Sequence, residues 1–155
     1  MANESAFQAT KNEFSTNGGQ ILLYYIDNVL YGIEIQYINE IISVMPITVV
    51  PRVPEFIKGV INIRGKVVPV ISVRNKINKP EIPYNDRTSI IIVEIEDLTV
   101  GLIVDSVREM AEVLPTDTCT APDYKMVNEN QYIKSIIDSD GEIKQLLDIH
   151  KLILE

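Results

Sequence analysis

The sequence predicts a mainly β protein built as two similar small barrels. Three observations carry that prediction: short β-branched runs broken by turn residues, a hairpin signature centred on Arg64-Gly65, and an internal repeat that finds the first half of the chain again in the second. At 155 residues the chain is long enough to bury a real core, and its 46% apolar content agrees with a folded globule.

Residues 1–18 are polar, hold no hydrophobic period and end on Asn17-Gly18, which reads as a flexible tail. From Gln20 the pattern changes. Residues 21–26 and 29–35 flank Asp27-Asn28, a hairpin signal, and a further strand is expected over 42–50. Between them, residues 36–41 read equally as one helical turn or as a continuation of the strand. Residues 60–63 and 67–71 then flank Arg64-Gly65. A two-residue hairpin turn prefers Asn or Asp before its glycine, because those side chains tolerate left-handed backbone; arginine has no such advantage. Arg64 breaks a local rule, and such positions are candidates for function.

A shift of 69 positions places Ile21 on Ile90, Asp27-Asn28 on Glu96-Asp97, Gly32 on Gly101, Ile38 on Val107 and Glu40 on Glu109. After a seven-residue insertion the shift becomes 76, and Gly65 falls on Gly141 and Val70-Ile71 on Leu146-Leu147. Preserved glycines and turns at fixed offset mark a duplicated unit. The division that follows is a tail at 1–18, a first barrel at 19–77, a linker at 78–87 and a second barrel at 88–155 with a short C-terminal helix. Two prolines and clustered polar residues exclude a strand from the linker. Closing each unit as a barrel removes exposed strand edges. The repeat also supplies an internal control for Arg64: its counterpart in the second copy is Asp140, followed by Gly141. The fold accepts aspartate there, so structure alone does not account for the arginine.

Composition narrows function. The net charge of −8 argues against nucleic acid or an anionic membrane as the main partner. No run of about 18 apolar residues suggests membrane insertion, and a cytoplasmic location is expected. The charge is uneven: of 14 basic and 22 acidic residues, residues 51–79 hold seven of the first and one of the second. That stretch reads either as a solvated face or as a basic patch for an acidic protein surface. Enzymatic signals are poor. The lone His150 has no nucleophile motif to serve, Cys119 reads as an inert small residue, and no phosphate loop is present. No catalytic residues, metal or cofactor are expected. A small acidic metal-dependent hydrolase is the contrasting class, motivated only by the number of carboxylates.

The run Tyr31-Gly32-Ile33-Glu34-Ile35, then Asn39-Glu40-Ile41, residues 54–59, Asn62-Ile63-Arg64-Gly65 and Val68-Pro69-Val70-Ile71 resembles the CheW family of bacterial chemotaxis adaptors. Gly101-Leu102-Ile103-Val104-Asp105 continues it, and the resemblance covers about residues 20–154. It implies two SH3-like five-stranded barrels and a noncatalytic scaffold joining the regulatory domain of the histidine kinase CheA to the cytoplasmic tips of chemoreceptors. A CheW-like adaptor of a nonchemotactic pathway is the nearer alternative. The resemblance assigns the motif arginine, Arg64, to receptor signalling, and Ile35, Ile38, Glu40 and Gly59 to partner contacts. Ile41, Asn62, Gly65 and Asp105 complete the expected binding set.

Overall fold

The computed structural model describes residues 19–113, 118–120, 131–139 and 141–154. The expected tail at 1–18, the turn residue Asp140 and the side chain of Cys119 lie outside them. The described chain is mainly β. Its strands are β1 (Gly19–Ile26), β2 (Val29–Glu34), β3 (Ile38–Ser43), β4 (Ile57–Ile63), β5 (Lys66–Ser72), β6 (Ser89–Ile95), β7 (Leu98–Val104), β8 (Ser106–Val113), β9 (Thr118–Thr120), β10 (Ile133–Ser139) and β11 (Glu142–Leu147). Two short helices, α1 (Val73–Lys76) and α2 (Ile149–Leu154), and a 3-10 turn at Ile35–Tyr37 complete it.

The hairpins lie where the turn residues place them. β1 and β2 pair up to Ile26 opposite Val29, β4 and β5 up to Ile63 opposite Lys66, and β6 and β7 up to Ile95 opposite Leu98. Both loop residues of each turn have positive φ: Asp27 55° and Asn28 65°, Arg64 50° and Gly65 84°, Glu96 48° and Asp97 70°. That is the twist-matched turn that two-residue hairpins favour.

The strands do not group in chain order. One sheet runs β8-β1-β2-β11-β10-β9 and the other β3-β6-β7-β5-β4. Among the described residues the compact units are therefore 19–37 together with those from Arg108 onward, and Ile38–Val107. This corrects the expected division into successive barrels at 19–77 and 88–155. The halves exchange strands reciprocally: β5 of the first half runs parallel to β7 of the second, with Val70 opposite Gly101, while β11 runs parallel to β2, with Leu146 opposite Gly32. The linkage lengths explain it. Asp105 alone separates β7 from β8, and an antiparallel return needs a loop of at least about two residues, so β8 leaves the sheet that holds β7. The 3-10 turn at Ile35–Tyr37 separates β2 from β3, which pairs with β6 in the other sheet.

Both cores accordingly mix halves. Ile21, Leu23, Leu30, Val113, Ile137 and Leu146 pack together in one unit, and Ile61, Val68, Val70, Ile90, Ile92 and Ile103 in the other. In the first, Arg108 Nη1 donates to Glu142 Oε2 at 2.9 Å, and this bond holds the Glu142 carboxyl below its usual range. The expected strand at 42–50 is shorter than predicted. Pro46 brings no N–H to a ladder, and beyond Ser43 only Thr48 pairs, exchanging backbone hydrogen bonds of 2.9 Å with Val60 of β4. The linker at 78–87 carries no strand, as expected. Helix α1 is not legible in the sequence pattern; Ser72 caps it by accepting from the Asn75 N–H at 3.1 Å.

A β-carbon on Gly101 would lie 2.8 Å from both Ile90 Cγ2 and Val70 Cγ1, and one on Gly32 would lie 2.8 Å from Ile21 Cδ1. The same glycine and isoleucine pair thus recurs in both halves, at the two parallel ladders. Gly101→Ala is expected to cost about 1–3 kcal/mol in urea denaturation. Gly32→Ala should cost less, since only the mobile end of one side chain must yield.

Candidate partner-binding site

The expected binding residues separate into three groups. Around the β4–β5 hairpin, in the unit Ile38–Val107, Asn62 Oδ1 accepts from the Gly65 N–H at 3.0 Å, closing the turn from within. Arg64 points from the turn toward β3 and forms an ion pair through Nη2 with Glu40 Oε2. Its side chain is 75% exposed and that of Glu40 29%. Lys66 donates to Thr99 Oγ1 at 3.0 Å, and Asn39 on β3 donates to Glu94 Oε1 at 3.1 Å. Ile41 is exposed on β3, on the side opposite Glu40 because successive strand residues alternate. Glu40, Ile41, Asn62, Arg64 and Gly65 therefore sit on accessible surface.

Gly65 has φ 84°, and no atom lies within 4 Å of the place a β-carbon would take, so its requirement is conformational, not steric. At Arg64 the backbone cost matches or exceeds what the ion pair returns. Left-handed backbone at a residue with a β-carbon costs about 1–2 kcal/mol, while an exposed ion pair contributes about 1 kcal/mol or less. The fold gains little from an arginine at this position.

The second group is packing. Ile35 and Ile38 are fully buried, and this corrects their expected place on a contact surface: both are apolar and are spent in the cores. Gly59 is also buried, with φ 144°, and a β-carbon there would lie 2.1 Å from the Thr48 carbonyl oxygen. It permits the close Thr48–Val60 pairing.

Asp105 stands apart from the hairpin. Its carboxylate accepts from Arg74 Nε and Nη2, both at 2.8 Å, in a two-pronged pair. Arg74 Nη1 also donates to the Pro80 carbonyl at 2.6 Å, and Ser72 Oγ donates to Glu81 Oε2 at 2.6 Å. Asp105 thus fastens α1 and the linker. Sequence reasoning misses this clamp and counts Arg74 with the exposed basic patch, yet Arg74 is buried. Lys76 is buried too, its ammonium 4.2 Å from the centre of the Phe56 ring. The patch that remains at the surface is Arg52, Arg64 and Lys66. Among the described residues no group of three or more His, Cys, Asp and Glu side chains is arranged to hold a metal ion.

Two SH3-like units that offer polar hairpin surface define a protein-binding module of the adaptor class. A family model described as a CheW-like domain matches residues 20–155. The chain is 30% identical over 138 residues to the chemotaxis protein CheW of Klebsiella aerogenes, covering 89% of this chain and 83% of that protein. To the chemotaxis protein CheW of Bacillus subtilis it is 29% identical over 136 residues, covering 88% and 87%. The crystal structure of the scaffolding protein TtCheW from Thermoanaerobacter tengcongensis superposes with a TM-score of 0.78 at 29% identity, covering 86% of this chain and 90% of that one. The chain belongs to the CheW family, the adaptor and scaffold proteins of bacterial chemotaxis.

Neutralising Asp105 removes the opposite charge that balances the buried Arg74 guanidinium. Asp105→Asn is expected to lower unfolding free energy by about 3 kcal/mol, whereas Arg64→Asn, which keeps a residue tolerant of left-handed backbone, should leave it unchanged or slightly higher. Urea denaturation of the two variants beside the wild type checks both.

Proposed function

We propose that this chain couples the cytoplasmic tips of chemoreceptors to the regulatory domain of the histidine kinase CheA, and that receptor control of the kinase passes through the hairpin at Arg64. Family membership supports the adaptor role. The observation that carries the hairpin's part is left-handed backbone whose cost the ion pair does not exceed, at a 75% exposed arginine. A planar fork with permanent charge, pinned at its base by Asn62 and leaning on Glu40, suits a partner's carboxylates or carbonyls. Ile41 and Asn62 add an apolar and a neutral polar contact on the same unit. The chain works at receptor arrays from the cytoplasmic side; among the described residues no helix is long and apolar enough to cross a membrane.

A reconstitution with purified kinase and receptor fragments tests this. Arg64→Asp installs the second half's own turn residue, and Arg64→Asn avoids placing a carboxylate beside Glu40. Both variants are expected to melt close to the wild type and to lower receptor-dependent kinase activation about tenfold, the scale of one interfacial charge contact. Full activation by both would defeat the proposal.

A further inference from the structure

The turn at Arg64 occurs twice in the chain, once with the arginine and once without it. Asn62-Ile63-Arg64-Gly65 is matched by Asp138-Ser139-Asp140-Gly141, and the two glycines share left-handed backbone, with φ 84° and 74°. β4 and β5 close with Ile63 opposite Lys66, so the Gly65 N–H lies outside the ladder. Asn62 Oδ1 accepts from that N–H at 3.0 Å. The bond spans Arg64 and ties down the left-handed backbone from which its side chain departs. An aspartate oxygen accepts an N–H in the same way, and an aspartate stands at the matching position 138. Turn closure alone therefore does not account for an amide at position 62.

What separates the two residues is charge. Glu40 accepts from Arg64 Nη2, and among the described residues no other group binds the guanidinium. The donors at Nε and Nη1 are left for a partner. A carboxylate at position 62, two residues from the arginine in the same exposed turn, would be a second internal acceptor for the fork. It would also leave Arg64 and Glu40 with an excess of negative charge around the cation. In the second copy the turn holds no arginine, and positions 138 and 140 are both acidic.

We propose that Asn62 is a positioning residue that sets specificity through Arg64. Its neutral amide fixes the turn that presents the arginine without drawing on the arginine's charge, which stays available to carboxylates on the receptor tip. The proposal deepens the coupling role and rests on it, since Arg64 is the group through which Asn62 acts.

Binding of the full chain to a purified receptor-tip fragment, with thermal melts alongside, tests it. The chains compared are wild type, Asn62→Asp, Asn62→Ser, Arg64→Asn and the double variant Asn62→Asp with Arg64→Asn. Asn62→Asp keeps the acceptor and should melt no lower than wild type, while its affinity falls about threefold, the scale of one exposed charge pair. Asn62→Ser is a neutral, weaker acceptor and should bind like wild type per folded molecule. In the chain that already lacks the arginine, the added carboxylate should cost nothing further. Wild-type affinity of Asn62→Asp beside an impaired Arg64→Asn overturns the proposal and leaves the coupling role standing. A loss that persists undiminished without Arg64 also overturns it, because Asn62 then touches the partner itself, as does a lowered melting temperature with binding per folded molecule unchanged. If Arg64→Asn binds like wild type, the hairpin's part in coupling and the role of Asn62 fall together.

Discussion

Two parallel ladders, Val70 beside Gly101 and Leu146 beside Gly32, are the constraint on which the rest of the molecule depends. Parallel neighbours cannot be joined by a tight turn, so each ladder must bring together segments far apart in sequence. Glycine stands at both because the facing isoleucines, Ile90 and Ile21, already fill the space a β-carbon would take. The consequence is that neither half of the repeat completes a sheet from its own strands. Once β5 is set against β7, the β4–β5 hairpin reaches β3 and Arg64 meets Glu40. The same placement brings Arg74, just after β5, to Asp105, just after β7.

Much of this is legible in the sequence. Alternating β-branched runs and the dipeptides Asp27-Asn28, Arg64-Gly65 and Glu96-Asp97 mark the hairpins because side-chain period and turn chemistry are local properties. Partner choice between strands is not local. The two copies of the repeat carry the same period and the same glycines, so nothing in the pattern states that β2 pairs with β11 and not with β5. The usable signal is the spacing: one residue between β7 and β8 leaves no room for a return. The strand expected at 42–50 fails at Pro46, whose missing N–H outweighs the β-branched residues around it.

The site is legible where it breaks a rule and illegible where it obeys one. Arg64 stands out because arginine is a poor turn residue, and its positive φ bears out the anomaly. Ile35 comes only through family resemblance, and an apolar residue such as Ile38 carries in the sequence no sign of which side it faces. Charge patterning misleads in the opposite direction. Seven basic residues in 51–79 suggest one continuous patch, yet Arg74 and Lys76 are buried, the first against a carboxylate and the second over an aromatic ring. Burial of a cation is a tertiary fact, set here by an aspartate 31 residues away in the chain. What remains outside is a smaller set of cations, Arg52, Arg64 and Lys66, on or beside left-handed backbone positions.

The central claim is that Arg64 faces outward in function, and that its ion pair with Glu40 is secondary. Exchanging the two charges, Glu40→Arg with Arg64→Glu in one chain, separates the roles. The account predicts that the exchanged chain keeps wild-type thermal stability, because the attraction is preserved, while receptor-dependent kinase activation stays as low as in a chain lacking the arginine. Recovery of activation in the exchanged chain would contradict it and make the pair an internal staple.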